Sequence, residues 1–240
     1  MSSSNTVSII VPVYKEGCEL TINLRSLLRV HNLKELIVVD ASANTINESE
    51  INQAKTKFCD QKLKVVESNR SGRAYQMNLG ARHATGEILL FLHADTLLPK
   101  GAITMIEEAA TACRWGRFNV RLDADEIIFR LIERFMNWRS KFTSIATGDQ
   151  AIFVHRLEFE SMNGFADIPL MEDVEISRRL KRFSRPYIIN NPVITSARRW
   201  QQNGIYKTIL LMWSLRFLYW IGVHPKQLDK WYHRSAEKLG

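Results

Sequence analysis

The fold is decided by residues 87–95, which read Glu-Ile-Leu-Leu-Phe-Leu-His-Ala-Asp. The run from 87 to 92 is apolar enough to form a buried strand, and it delivers His93 and Asp95 at its carboxyl end. In an open α/β sheet, ligands bind outside the carboxyl ends of the strands. An acidic residue at this place, close to a second polar side chain, can hold a divalent cation and the phosphates that the cation carries.

Strands and helices alternate through the first hundred residues. Apolar, β-branched runs predict strands at 7–13, 36–40 and 63–67, ahead of the strand at 87–92. Helical spacing, or a glycine turn, predicts helices at 19–30, 48–57 and 74–84. This alternation is typical of βαβ units, and it predicts an α/β protein with a mainly parallel central sheet flanked by helices.

The second half has a different pattern. It predicts helices at 101–113, 127–136 and 172–183, strands at 115–122 and 150–155, and an aromatic-rich segment at 205–223. We expect the helix at 127–136 to be capped by Asp123 or Asp125. The expected organisation is a catalytic domain at 1–204, with a nucleotide-binding half at 1–100 and a second half at 101–204, followed by a C-terminal helical extension at 205–240.

The composition is that of a globular protein with an anionic partner. The formal net charge is +8, which suits a nucleotide, an anionic membrane surface or a nucleic acid. The three cysteines are far apart in sequence, which argues against a zinc knuckle or a disulfide scaffold. The N-terminus lacks the pattern of a secretory signal, and no segment is apolar for the length of a spanning helix, so we expect a cytoplasmic protein.

Polar residues cluster where the predicted elements end. Glu16 and Asp40 follow the first two strands, where a carboxylate can accept hydrogen bonds from a base or a ribose; capping or simple solvation is the alternative. A glycine turn at Gly72 precedes a helix, and the free N–H groups of that helix and the charge of Arg73 suit an anion. Helix starts also carry glycine and arginine for structural reasons.

Two further clusters lie in the second half. The first is Gly148-Asp149-Gln150, and the second is Glu172-Asp173, which follows an apolar pair and opens a predicted helix. Capping explains Glu172, because the helix dipole favours carboxylates there. Asp173 is the candidate general base, since a carboxylate aimed at a substrate hydroxyl can take its proton as it attacks.

Taken in order, these clusters resemble the family-2 inverting glycosyltransferases, which have the GT-A fold. The residues that carry the resemblance are Ser8–Glu16, Val38–Asp40, His93–Asp95 and Glu172–Asp173. A narrower set resembles the radical-SAM/selenodomain-associated subgroup: Gly72–Ala81, Phe91–Thr96, Thr147–Gln150 and Arg198–Trp200. The likeness extends from about residue 7 to residue 232.

The resemblance implies a Rossmann-like GT-A fold and a nucleotide-diphosphate sugar as donor. Asp95 would bind Mg²⁺ or Mn²⁺ bridging the diphosphate, and Asp173 would be the catalytic base. The residues expected to contact the nucleotide are Glu16, Asp40, Arg73, Asn78, His93 and Arg199, and those expected on the acceptor side are Gly148, Asp149, Gln150, Glu172 and Trp200. His93 stands where the family has the first acid of its metal motif.

Several alternatives stay open at this point. The fold would also suit a nucleotidyltransferase or a non-catalytic protein that binds nucleotide sugars or other anions. A nucleic-acid-binding module is disfavoured, because carboxylates at the strand ends would repel phosphates. The acceptor is either lipid-linked or a small molecule. The basic and aromatic C-terminal region could rest on an anionic membrane, pack on the domain, or form a homodimer contact.

Overall fold

An eight-stranded sheet forms the centre of the computed structural model, which describes residues 5–14, 26–27, 30–41 and 62–237. The strands are β1 (Val7–Val13), β2 (Glu35–Asp40), β3 (Leu63–Glu67), β4 (Ile88–Phe91), β5 (Thr96–Leu97), β6 (Trp115–Leu122), β7 (Ile152–His155) and β8 (Tyr187–Thr195). Their order across the sheet is β3-β2-β1-β4-β7-β6-β8-β5. Most of the predicted helix at 19–30 and all of that at 48–57 lie outside the described residues.

The first half of the sheet is parallel, as the alternating pattern predicts. β3, β2, β1 and β4 pair side by side in parallel. β1 and β2 are buried along their whole length, which explains why they are continuous apolar runs rather than alternating ones. The second half is mixed: β7 pairs antiparallel with both β4 and β6, β6 and β8 are parallel, and β5 is antiparallel to β8. Parallel pairing is therefore concentrated in the first hundred residues.

Helices cover both faces of this sheet. They are α1 (Arg73–His83), α2 (Ala102–Ala110), α3 (Ile127–Thr143), α4 (Arg156–Ser161), α5 (Glu172–Leu180), α6 (Arg198–Asn203), α7 (Ile205–Trp220) and α8 (Pro225–Glu237), with a 3₁₀ turn at Gly148–Gln150. The predicted cap of α3 is wrong. Glu126 holds the N-cap position without a side-chain cap bond, and Asp123 instead accepts a hydrogen bond from the backbone N–H of Ala197.

The core has two layers, separated by the sheet. Ile9 and Val11 of β1 face one layer with Phe129 of α3, whereas Ile10 faces the other with Met77 of α1. This alternation is the ordinary two-residue period of a strand. Because β4 pairs with β7 and β5 with β8, one sheet crosses the expected boundary between the halves at 1–100 and 101–204.

The last two helices pack through a smaller cluster of their own. Leu215 of α7 and Leu228 of α8 are buried against Leu170, Met171 and Val174, at the start of α5. This cluster places the C-terminal helices next to the carboxyl ends of the parallel strands. In the part of the chain that the structure describes, none of the helices has the length and apolar character needed to cross a bilayer.

A buried carboxylate fixes the other end of the parallel strands. Glu35 accepts hydrogen bonds from the Ser8 hydroxyl (2.6 Å) and the Thr85 backbone N–H (2.5 Å), and it pairs with Lys64. Burial works to raise the pKa of Glu35, but the Lys64 ammonium and the Ser8 and Thr85 donors together lower it to about 2. This network joins β1, β2 and β3 to the end of α1, and thereby sets how the elements around the site are positioned.

Candidate active site

A cleft of about 910 Å³ opens at the carboxyl ends of β1 and β4. Its floor is formed by Val13, Tyr14, His93, Ala94 and Asp95. One wall is the start of α1, and the opposite side is formed by 167–170 and α8. His93 and Asp95 therefore lie where the strand at 87–92 was expected to deliver them.

The start of α1 is shaped by a glycine. Gly72 has φ 136°, a conformation that other residues rarely adopt, and no atom would contact a Cβ there. The backbone conformation rather than crowding is what requires glycine at this turn. Arg73 follows it, and Gln76 fastens the helix to the sheet by donating to the carbonyls of Val13 (2.7 Å) and Val39 (2.8 Å). The amino end of α1 is thus held beside the ends of β1 and β2.

A smaller recess of about 90 Å³ adjoins this cleft. The residues that line both spaces are Arg73, His93, Leu170 and Tyr232. The recess is further lined by the 3₁₀ turn, by the start of α5, and by Met212, Leu215 and Arg216 of α7. The predicted donor-side and acceptor-side residues therefore meet around two connected spaces.

His93 stands between the two spaces. Its Nδ1 lies 3.4 Å from Asp149 Oδ1, and its ring is packed against the backbone of Gly148. A Cβ on Gly148 would fall 2.2 Å from His93 Nε2, so no other residue fits there while the ring keeps its place. The strand-end motif and the 148–150 motif are therefore two sides of one contact.

The start of α5 supplies the two acidic residues. Met171, which precedes the helix, has a left-handed backbone with φ 69°, an uncommon conformation for a non-glycine residue that recurs at functional sites. Asp173 Oδ2 accepts a hydrogen bond from the Gly148 backbone N–H at 2.9 Å, and Oδ1 accepts one from Val174 at 2.7 Å. The Asp173 carboxylate is therefore oriented by backbone donors.

Glu172 has a different environment. Its side chain is 5% exposed, and its Oε1 lies 3.5 Å from Arg73 Nε. Burial raises the pKa of Glu172; the Arg73 charge opposes this shift, and the adjacent Asp173 adds to it. Loss of water around the Arg73 guanidinium would lower its pKa, but Glu172 and Asp173 outweigh this and raise it. Arg73 is consequently a permanent positive charge at the junction of cleft and recess.

Asp95 is the candidate metal ligand. Within the described ranges, no group of three or more His, Cys, Asp and Glu side chains is placed to hold a metal ion. Mg²⁺ in nucleotide sites takes one or two carboxylates and completes its coordination with phosphate oxygens and water. A single carboxylate facing the cleft thus fits a cation that arrives with a diphosphate, and does not fit a cation that the protein holds by itself.

Solved structures with a similar fold include a mannosyltransferase. Mannosyltransferase PcManGT from Pyrobaculum calidifontis, in complex with GDP-Man and Mn²⁺, is 22% identical with a TM-score of 0.61, over 81% of this chain and 57% of that chain. TarS 1–349 from S. aureus is 18% identical with a TM-score of 0.61, over 80% of this chain and 60% of that chain. Its complex with UDP-GlcNAc has a TM-score of 0.60.

The chain has the GT-A fold. Residues 8–114 match the family model described as Glycosyl transferase family 2. The chain spans 57% to 60% of the length of these solved structures. No curated protein matches the chain significantly.

Three residues that were expected to contact the nucleotide do not line the main cleft or lie outside the description. Asp40 is buried at the end of β2, in register with Val13, and its carbonyl accepts a hydrogen bond from Ser68. Glu16 lies outside the described residues. Arg199 belongs to α6, and its side chain is not among those described.

Three predicted contacts are not supported by the structure. The Asn78 amide pairs with the backbone N–H and carbonyl of Phe165, both at 2.8 Å, on the side of α1 away from the GT-A cleft. Gln150 is fully buried, where it caps the 3₁₀ turn and donates to Asn137. Trp200 packs on the core beneath the sheet. The polar groups of Asn78 and Gln150 are thus bonded within the protein.

Other residues of the GT-A cleft were missed from the sequence. Gln76 lies within the motif at 72–81, but its role depends on the carbonyls of Val13 and Val39 in two distant strands. Lys226, Lys230 and Tyr232 of α8 line the main cleft, and Arg216 of α7 lines the recess. The spacing of Lys226 and Lys230 places both on one face of α8, which was the available signal.

Proposed function

We propose that the protein transfers a sugar from a nucleotide-diphosphate sugar to an acceptor hydroxyl, with inversion at the anomeric carbon and with Asp173 as general base. One observation carries the proposal: Asp173 is fixed by Gly148 in a recess that adjoins the cleft containing Asp95 and Arg73. The motifs at 72–81, 91–96, 147–150 and 198–200 also support the radical-SAM/selenodomain-associated subgroup.

The charge and shape of the main cleft suit a nucleotide diphosphate. Four basic residues line it, namely Arg70, Arg73, Lys226 and Lys230, and the start of α1 adds unpaired N–H groups. Tyr75 lies under the Arg70 guanidinium at 4.7 Å, while Asp167 pairs with the same group. The two solved structures of this fold bind GDP-Man and UDP-GlcNAc, which supports a donor of the same class.

A divalent cation belongs to the proposal as a companion of the donor. Asp95 would hold Mg²⁺ or Mn²⁺ together with the diphosphate oxygens, and the cation would neutralise charge on the leaving group. His93 does not replace the missing acid, because its ring contacts Asp149 and Gly148. PcManGT is described in complex with Mn²⁺, which supports the same metal here.

The chemistry then needs one base and no enzyme nucleophile. Asp173 takes the proton of the acceptor hydroxyl while the hydroxyl oxygen attacks the anomeric carbon. The bond from that carbon to the phosphate oxygen breaks on the opposite face, and the nucleotide diphosphate leaves with the electron pair. Arg73 stabilises the charge that grows on the leaving group, and buried Glu172 holds Arg73 in position.

The donor test uses a panel of nucleotide sugars. We expect at least one donor, in the presence of Mn²⁺, to raise the melting temperature and to be hydrolysed slowly to the nucleoside diphosphate. Inversion is checked by the anomeric configuration of the released sugar at early times. A panel with no donor that binds or is cleaved, with or without metal, would overturn the proposal.

We also propose that an anionic membrane binds one face of the protein. This aromatic face consists of exposed side chains on α3 and α7: Phe135, Trp138, Phe142, Tyr206, Trp213, Phe217 and Trp220. Stacking of Phe135 on Trp213, at 5.3 Å between ring centroids, joins the two helices. Exposed aromatic rings beside basic residues are typical of interfacial binding.

Charge favours a membrane over a second copy of the chain. Helices α3 and α7 together contain one acidic residue, Glu133, which is buried and bonded to the backbone of Leu122. Their basic residues include Arg134, Lys141 and Lys207. A homodimer through this face would bring like charges together, whereas anionic lipid headgroups would compensate them.

A further inference from the structure

Two arginines are brought together behind the acceptor side of the site. Helices α3 and α7 contact each other through the stacked rings of Phe135 and Trp213. Arg139 lies four residues after Phe135, and Arg216 lies three residues after Trp213, so each arginine follows the contact by about one turn on the same helix face. The charge of Arg216 is close enough to act on the Arg139 guanidinium.

The Arg139 guanidinium is incompletely bonded. Its Nε and Nη2 atoms are buried, and the structure gives neither a hydrogen-bond partner. Burial, followed by the charge of Arg216, lowers the pKa of Arg139 to about 10, and the carboxylates of Asp173 and Asp149 oppose this shift. Buried donors without partners are destabilising, and guanidinium groups at such places commonly receive an anion from a ligand.

Arg216 connects this pair to the site. Its side chain lines the recess together with Gly148, Asp149 and Asp173, and no carboxylate of the described residues forms an ion pair with it. The recess volume of about 90 Å³ exceeds the space that a single water needs. Asp149 and Asp173 would repel an anion, so an anion in this region is confined to the part of the recess lined by Arg216.

We propose that the acceptor carries a phosphate monoester, and that Arg216 and Arg139 bind this group beside Asp173. A dianionic phosphate can compensate two guanidinium groups, whereas a carboxylate compensates one, and its oxygens suit bidentate bonding to arginine. The inference rests on the proposed function in one respect: it takes Asp173 to be the base that faces the acceptor hydroxyl. The phosphate would then hold that hydroxyl within reach of the base.

The test separates acceptor-side binding from donor binding. The full chain is first saturated with Mn²⁺ and the nucleoside diphosphate that binds most tightly, which blocks phosphate sites in the main cleft. Glycerol 3-phosphate is then titrated by calorimetry, with neutral glycerol as the matched probe. We expect glycerol 3-phosphate to bind and glycerol not to bind, and Arg216→Gln and Arg139→Gln each to weaken binding about tenfold or more.

Matched variants and a lipid arm complete the experiment. Lys34→Gln removes an exposed charge before β2, at the opposite end of the sheet, and should leave phosphate binding unchanged. Vesicles of phosphatidylcholine with and without phosphatidic acid show whether a lipid can present the phosphate. If phosphatidic acid strengthens vesicle binding and Arg216→Gln removes this gain, the phosphate belongs to a lipid. An Arg216-dependent response to glycerol 3-phosphate alone assigns it to a small molecule.

The outcomes distinguish failure of the phosphate-binding proposal from failure of the proposed function. If glycerol 3-phosphate and phosphatidic acid both fail to bind, or if binding is indifferent to Arg216→Gln, the inference is overturned even when a nucleotide sugar is cleaved. Failure of every nucleotide sugar to bind overturns the proposed function instead, and the same titration is then read without nucleotide. Should Arg139→Gln prevent folding, Arg216→Gln decides the matter, because the Arg216 side chain lines the recess.

Discussion

The Asp173 carboxylate accepts a hydrogen bond from the backbone N–H of Gly148 at 2.9 Å, across 25 positions of sequence. This bond joins the start of α5 to the 3₁₀ turn. The same turn places Asp149 3.4 Å from His93 at the end of β4. A strand end, a turn and a helix start are thereby linked, and the carboxylate is oriented by backbone, which moves less than side chains do.

Replacement of Asp173 by asparagine should remove the base while keeping the shape of the site. We expect Asp173→Asn to lower the transfer rate by about a hundredfold or more, since general bases contribute that much. Donor affinity should change little, because the donor is bound in the main cleft. Rates and calorimetric donor affinities are the measurements, with the exposed Asp125→Asn as the charge-matched control. A variant that transfers normally but binds donor poorly would refute the assigned role.

Gly148 should tolerate no side chain while His93 keeps its place. We expect Gly148→Ala to lower the free energy of unfolding by about 1–3 kcal/mol and to reduce transfer, because the added Cβ displaces the histidine ring. The double variant His93→Ala/Gly148→Ala should recover part of the lost stability, measured by urea unfolding. If the double variant instead loses as much stability as the two single variants added together, the two residues do not interact.

Asp95 should matter only when a metal is present. We expect Asp95→Asn to weaken nucleotide-diphosphate binding about tenfold or more in Mn²⁺, and to leave the weaker binding in chelator unchanged, because the carboxylate acts through the cation. Calorimetry with and without Mn²⁺ measures both affinities, and electron paramagnetic resonance of Mn²⁺ reports the bound metal directly. Equal weakening in chelator would mean that Asp95 contacts the nucleotide itself.

The parallel half of the fold could be predicted from the sequence because three of its four strands, β1, β2 and β4, are buried along their whole length. β1 and β3 have the expected bounds, 7–13 and 63–67, and β4 differs from the expected strand by one residue at each end. His93 and Asp95 line the cleft at the end of β4, and Gly148 and Asp173 line the adjoining recess. The carboxyl ends of neighbouring parallel strands meet at one edge of the sheet. The local sequence pattern was therefore enough to predict that His93 and Asp95 lie at this edge.

Other parts of the site depend on contacts between distant segments. The Asn78 amide is bonded to Phe165, 87 residues away, and nothing in the sequence around Asn78 reveals this. Lys226 reaches the cleft because α8 is held by Leu228 against the start of α5. A polar side chain in a motif can face a ligand or a backbone group, and only tertiary packing decides between the two.

Glu35 should make the fold sensitive to acid. Its pKa is lowered to about 2 in the folded chain and is near 4.5 when unfolded, so its contribution is fully present above pH 4.5 and is lost as the pH falls towards 2. We expect Glu35→Gln to lower the free energy of unfolding at pH 7 by about 3 kcal/mol at most. Urea unfolding at pH 7, 4 and 3 should show the gap between the two proteins narrowing; a gap that stays constant with pH would exclude this origin.

The aromatic face should bind anionic vesicles. We expect Trp138→Ser and Trp213→Ser each to weaken binding to phosphatidylcholine–phosphatidylglycerol vesicles about tenfold, since each ring loses apolar contact with the acyl region. Added salt should weaken the wild-type protein further by screening its basic residues. The matched control is Leu157→Ser, which removes an exposed apolar side chain from α4, 77% exposed and outside this face. Vesicle co-sedimentation measures the affinity for lipid. Analytical ultracentrifugation without lipid tests whether a second copy of the chain binds this face instead. If the tryptophan variants instead shift a monomer–dimer equilibrium and leave vesicle binding intact, the face is an interface between two copies of the chain.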